Sequence, residues 1–183
     1  LGLLLVKERG NKRGEAETLT FISKIYLDSG DNQKALEYYN NALTIYKNLG
    51  DKVFEATTLN TIGSIYYRLD ERQKALEYYK QALLVFEGAG DKNGDADTLT
   101  NIGEIYSGLG EKQKALEYFK RSLQISGAAG AKFTEARARV AIGTVYSNLG
   151  EKQKALEYFN LALPFFKEAT DKSYEARTLL NIG

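Results

Sequence analysis

The hexapeptide Gln33-Lys34-Ala35-Leu36-Glu37-Tyr38 returns at 73–78, 113–118 and 153–158, each time after 40 residues and with no insertion or deletion. A fixed period of this size marks a repeat array, in which each unit buries an apolar face against its neighbours. The hexapeptide therefore sets the frame for the rest of the chain.

Working outward from 73–78, residues 51–90 serve as the type unit. Gly50 is suited to end one helix and Asp51 to cap the next. Ala56, Leu59, Ile62, Gly63, Tyr66 and Leu69 follow at three- and four-residue spacing, which predicts a helix over about 52–69 with one apolar face. Asp70 and Glu71 interrupt it; the sister positions read Gly30-Asp31, Gly110-Glu111 and Gly150-Glu151, a stop followed by an acidic start. Ala75, Leu76, Tyr79, Ala82, Leu83 and Phe86 then predict a second helix over about 72–87. So short a break forces the two helices to lie antiparallel. The unit is a helical hairpin that cannot bury both faces alone.

In this frame the chain is one array. Residues 1–10 are the tail of a preceding second helix, 11–50, 51–90, 91–130 and 131–170 are complete units, and 171–183 open a fifth. The run LGLLLV at 1–6 also resembles the apolar part of a signal peptide, but it is too short to span a membrane and lacks a basic start. The repeat frame explains it better, because Leu3, Leu5 and Gly10 align with Leu43, Ile45 and Gly50. With no Met in the chain, the expectation is a fragment of a larger, bacterial protein.

Composition narrows the function. The chain is 43% hydrophobic and 27% charged, as expected of a folded, soluble protein. Lys+Arg 25 against Asp+Glu 24 leaves a formal charge of +1, without the concentrated basic excess that a nucleic-acid or anionic-membrane binder requires. There is no Cys and no His, which excludes thiolate nucleophiles, imidazole bases, disulfides and the commonest zinc ligands. Carboxylates occupy exposed repeat positions and no phosphate-binding Gly-Lys-Ser/Thr loop occurs. The expectation is a cytoplasmic protein that is not an enzyme, with no catalytic residue, metal site or cofactor, and with neither nucleic acid nor membrane as partner.

Small residues recur where helices should approach closely. Gly63, Gly103 and Gly143 sit mid-helix, where glycine costs about 1 kcal/mol relative to alanine; Ser23 replaces them in the first unit. Ala75, Ala115 and Ala155 lie opposite, and Ala42, Ala82 and Ala162, with Ser122 in the third unit, form a second ladder. These positions carry a family resemblance. Leu59, Ile62, Gly63, Tyr66, Ala75, Tyr79 and Ala82 match the signature of the tetratricopeptide repeat, whose usual period is about 34 and is lengthened here. The long form is similar to repeats of kinesin light chains, spindle-orientation adaptors, bacterial peptide-sensing regulators and large bacterial proteins that carry separate protease or signalling domains.

The resemblance implies an all-α, right-handed solenoid of antiparallel helix pairs, whose first helices line a concave groove that takes a protein or peptide segment. The implied groove residues are Thr57, Asn60, Thr61, Ser64, Tyr67 and Arg68 in the second unit, and Asp97, Thr100, Asn101, Glu104 and Ser107 in the third. Arg137, Val140, Ala141, Thr144, Ser147 and Asn148 follow in the fourth, and Arg177, Leu180 and Asn181 in the last helix. Glu17, Thr20, Phe21, Lys24, Leu27 and Asp28 are their relatives in the first. Asn101 and Asn181 stand where several long-repeat relatives hold a peptide backbone with an amide side chain. That ladder is broken here by Phe21, Thr61 and Ala141, and the carboxylate-clamp pattern of chaperone-binding relatives is not matched.

Several residues admit two readings. Arg137, with Arg139 and Arg68, suits an acidic peptide, or is a surface charge paired with Glu135, Glu104 or Asp97. Tyr38, Tyr78, Tyr118 and Tyr158 form a stacking surface or a packed edge of the second helix. Lys34, Lys74, Lys114 and Lys154 are expected to pair three residues on with Glu37, Glu77, Glu117 and Glu157. The glycine-rich stretch 126–131 loses the capping aspartate and is expected to be the softest junction. Pro164 should bend its helix. Three roles follow: a peptide-binding scaffold, a spacer that self-associates end to end, and a regulatory array for an enzyme domain outside this stretch.

Overall fold

The computed structural model describes residues 11–168 and 172–182; the reading of 1–10 as a helix tail lies outside them. The described residues form nine helices and no strand: α1 Lys12–Asp28, α2 Asn32–Leu49, α3 Lys52–Arg68, α4 Arg72–Ala89, α5 Lys92–Gly108, α6 Lys112–Ala129, α7 Lys132–Asn148, α8 Lys152–Glu168 and α9 Lys172–Ile182. The fold is the all-α repeat solenoid read from the sequence. Backbone conformation places the breaks. Gly50, Gly90 and Gly130 close the second helices in the left-handed region, at φ of 69°, 73° and 69°. Asp70, at φ 58°, is the one non-glycine residue with positive φ among those described. At helix starts, Asn11 accepts from Gly14 N at 2.9 Å and Asp91 from Asn93 N and Gly94 N at 3.1 Å.

The chain divides into two compact units, 1–90 and 91–183, and the division falls on a repeat boundary. In the first unit α1 packs on α2, α2 on α3 and α3 on α4. Its core joins Ala56, Leu59, Ile62 and Ile65 of α3 to Ala35, Tyr39 and Leu43 of α2 and to Ala82 and Phe86 of α4. In the second unit α5–α6 and α7–α8 are the hairpins, α6 packs on α7, α8 on α9, and α5 also meets α7 directly.

The mid-helix glycines admit an aromatic ring from the partner helix. A Cβ on Gly63 would lie 2.7 Å from Tyr79 Cδ1; on Gly103, 2.5 Å from Phe119 Cε1; on Gly143, 2.7 Å from Phe159 Cε1. The close approach expected from the sequence is therefore made chiefly by the ring one turn after the small alanine, with Ala75 O the next neighbour of Gly63 at 3.3 Å. The second small-residue ladder is fully buried; Ser122 satisfies its hydroxyl on Ala96 O and the Thr100 hydroxyl, each at 2.7 Å.

The repeated lysines correct one expectation. Lys34, Lys74, Lys114 and Lys154 pair with the acid three residues before them, Asp31, Glu71, Glu111 and Glu151, rather than with the glutamate three residues after. The reason is aromatic. Tyr26–Tyr38, Tyr66–Tyr78, Tyr106–Tyr118 and Tyr146–Tyr158 stack across each hairpin with centroids 5.3–5.7 Å apart. Each lysine ammonium then sits 5.0–5.3 Å over the first-helix ring, which turns it back toward the turn and its acid. The Tyr38 ladder is thus a packed edge.

Stretch 126–131 keeps its helix to Ala129, and Gly130 closes it, but Ala131 makes no side-chain cap. Buried Ser126 stands where Tyr46, Phe86 and Phe166 place an aromatic ring. Pro164 lies inside α8, which continues through it. Among the described residues no helix is long and apolar enough to cross a membrane.

Candidate peptide-binding strip

Helical periodicity puts residues three and four apart on one face; of the strip residues expected from the sequence, some are exposed, some half-buried and some buried. In the first unit Tyr67 and Arg68 are exposed at the end of α3. Asn60 and Ser64, one turn apart, are half-buried; the Ser64 hydroxyl donates to Asn60 O at 3.0 Å and accepts from Tyr79 Oη at 3.1 Å. Thr57 and Thr61 hold their hydroxyls on carbonyls four residues back. On α1, Phe21 is 66% exposed where Asn101 stands in the third repeat, and Glu17 pairs with Arg13 at 3.2 Å.

The second unit gathers its strip residues into a seam between α5 and α7. Arg137 donates to Asp97 Oδ1 at 3.3 Å, to Asn101 Oδ1 at 3.1 Å and to Glu104 Oε1 at 3.4 Å. Thr134 also donates to Asp97 Oδ1, at 2.8 Å. Of the partners open to Arg137 in the sequence, Asp97 and Glu104 are the ones it takes. Glu135 instead pairs with Arg139, which occupies a leucine position and reaches Leu161 O on α8 at 3.3 Å. Thr100 and Val140, expected on the strip, are buried, Val140 in the core with Phe159 and Ala162. Thr144 is half-buried and bonded to Val140 O. Asn148 is exposed, and its carbonyl accepts from Lys112 at 2.6 Å. On α9, Arg177 lies 4.5 Å over the Tyr174 ring, and Arg177 and Asn181 are both exposed. Among the described residues no cluster of acidic side chains is arranged to hold a metal.

Sequence reasoning missed Thr134. Its repeat position holds Gly14, Phe54, Gly94 and Tyr174 elsewhere. Phe54 and Tyr174 stack on Tyr46 and Phe166. With Ser126 and Thr134 as the corresponding pair, the α6–α7 junction lacks that stack, and the Thr134 hydroxyl bonds to α5. The signal available was the loss of both aromatic positions together.

A tetratricopeptide repeat model matches residues 14–87 and 54–128, and a second one residues 136–163. The chain belongs to the tetratricopeptide repeat family. No curated protein matches the sequence significantly. Solved structures with the same repeat fold include aspartyl phosphate phosphatase F from Bacillus subtilis, 20% identical with a TM-score of 0.87, over 93% of this chain and 45% of that one. A signal transduction ATPase with a tetratricopeptide repeat sensor from Pyrococcus horikoshii is 20% identical with a TM-score of 0.81, over 94% and 27%. BtubC from P. vanneervenii is 23% identical with a TM-score of 0.74, over 88% and 66%. The repeat array thus spans less than half the length of the first two. At these identities the likeness is one of fold, and family membership makes the chain an interaction scaffold in general terms.

Proposed function

We propose that the chain binds a protein or peptide segment, extended or helical, along the outward strip of its first helices, and performs no chemistry on it. The observation that supports this is the contrast between packing and outward positions. Position 62 and its relatives read Ile22, Ile62, Ile102, Ile142 and Ile182, whereas position 61 and its relatives read Phe21, Thr61, Asn101, Ala141 and Asn181. Residues that hold a solenoid together repeat because the same helix contact repeats, and those free to vary are the ones that specify a partner. The tetratricopeptide repeat sensor of the Pyrococcus ATPase fits the same role, and regulation of an enzyme domain outside this stretch would be one use of it.

The test is a peptide-array or pull-down screen on the whole chain, beside a Tyr67→Ala, Arg68→Ala, Arg177→Ala, Asn181→Ala variant. These four side chains are exposed, so their removal should leave helical content intact. Binding that the variant loses supports the strip; equal binding by both, or none by either, refutes it. A second reading, self-association, is favoured by α9, where Leu179 and Leu180 are 46% and 82% exposed. A concentration series in light scattering separates the two, since a monomer throughout would remove self-association.

A further inference from the structure

The seam between α5 and α7 points to the chemistry of a ligand, on the footing that the strip binds a peptide at all. Arg137 is its inner member, with 17% of its side chain exposed; Asp97 and Glu104 are the outer ones, at 42% and 41%. Asp97 Oδ1 already receives both Thr134 and Arg137. One guanidinium therefore serves two carboxylates, at 3.3 and 3.4 Å, and the seam keeps one net negative charge. Among the described residues, Asp97 Oδ2 and Glu104 Oε2 receive no protein donor.

A group arriving from solvent meets the carboxylates before the arginine. A ligand carboxylate would be a third anion around a single guanidinium that two carboxylates and the Asn101 amide already share. A ligand ammonium or guanidinium would instead complete a two-to-two arrangement, and its hydrogen bonds to the carboxylates would be charge-assisted, stronger than neutral ones. Asp97 and Glu104 are seven residues apart on one helix, about 10 Å along its axis, with Asn101 between them. We propose that this seam is a subsite for a cationic side chain, lysine or arginine, of the bound segment. The assignment is the reverse of the acidic ligand that Arg137 suggests when it is considered alone.

The test uses the whole chain and immobilised degenerate dodecapeptide pools that differ only in a fixed central Arg, Gln or Glu. The Arg pool should retain about threefold to fivefold more protein than the Gln pool, the scale of one partly exposed ion pair, and the Glu pool less than either. Asp97→Asn with Glu104→Gln should abolish the Arg preference, and Arg137→Gln should enlarge it, with circular dichroism confirming unchanged helicity. The same charge change placed elsewhere, Glu37→Gln with Glu77→Gln, should leave the preference intact. Equal retention of all three pools, preference for Glu, or equal loss in the distant control would overturn the cationic subsite while leaving the strip standing. If no pool is retained, the strip and its subsite fall together.

Discussion

At the residue scale the repeated positions owe their identity to contacts that recur, and Gly103 is a clear case. The Cβ of Gly103→Ala would fall 2.5 Å from Phe119, a ring that is itself fully buried. We expect this substitution to destabilise the chain by about 1–3 kcal/mol, as overpacking does. Gly88→Ala, in the exposed last turn of α4 with nothing within 4 Å of the added carbon, should instead stabilise by up to about 1 kcal/mol. Denaturant midpoints of the two variants should move in opposite directions. A second residue-scale effect is alkaline. Lys34, Lys74, Lys114 and Lys154 titrate above the ordinary lysine value, each chiefly through the hydrogen bond to its acid. Burial raises Tyr39, Tyr46 and Tyr78. In both cases the folded chain keeps its protons when the unfolded chain has begun to lose them, so stability falls as pH rises. Thermal midpoints should be nearly level from pH 7 to about 9 and drop from about pH 10 upward, where unfolded tyrosine and lysine ionise. A midpoint unchanged at pH 11 would contradict this.

At the scale of single elements the junction between α6 and α7 stands apart. It has lost an aromatic stack and the side-chain cap that Asn11 and Asp91 supply elsewhere, and in their place it has Ser126, Gly127, Ala131 and the hydrogen bonds from Thr134 and Arg137 to α5. Polar bonds at half-exposed positions hold less firmly than a buried ring, so amide exchange should be fastest among the internal helix junctions at 126–131. Uniform protection across all junctions would refute that. Ala131→Asp should restore the cap and add about 0.5–2 kcal/mol, slowing exchange of the first α7 amides in particular.

At the scale of the molecule, each compact unit holds complete hairpins and its own buried core. Stability in such arrays is close to a sum of repeat and neighbour terms, so neither unit should need the other in order to be helical. Residues 1–90 and 91–183, expressed separately, should each show the far-UV signature of a helical protein and a melting transition, at a lower midpoint than the whole chain. A fragment that is unfolded at 25 °C would show that the units are not independent.

Much of this was legible in the sequence. A 40-residue period, apolar spacing and glycine stops determined the helices and their antiparallel pairing, because those features follow from contacts between neighbours in the chain that recur; the signature residues around Gly63 and Tyr79 carried the family resemblance. The residues of the strip come from the family resemblance, which implies that the first helices face the partner. The partner of each charged side chain was not legible. Lys34 turns to Asp31 rather than Glu37 because Tyr26, on another helix, offers its ring. Arg137 joins Asp97 and Glu104 because α7 packs directly against α5. Those choices depend on side chains tens of residues apart in sequence that only packing brings within reach. Tertiary structure therefore decided which charged groups meet at the seam between α5 and α7 and which of them lie outermost.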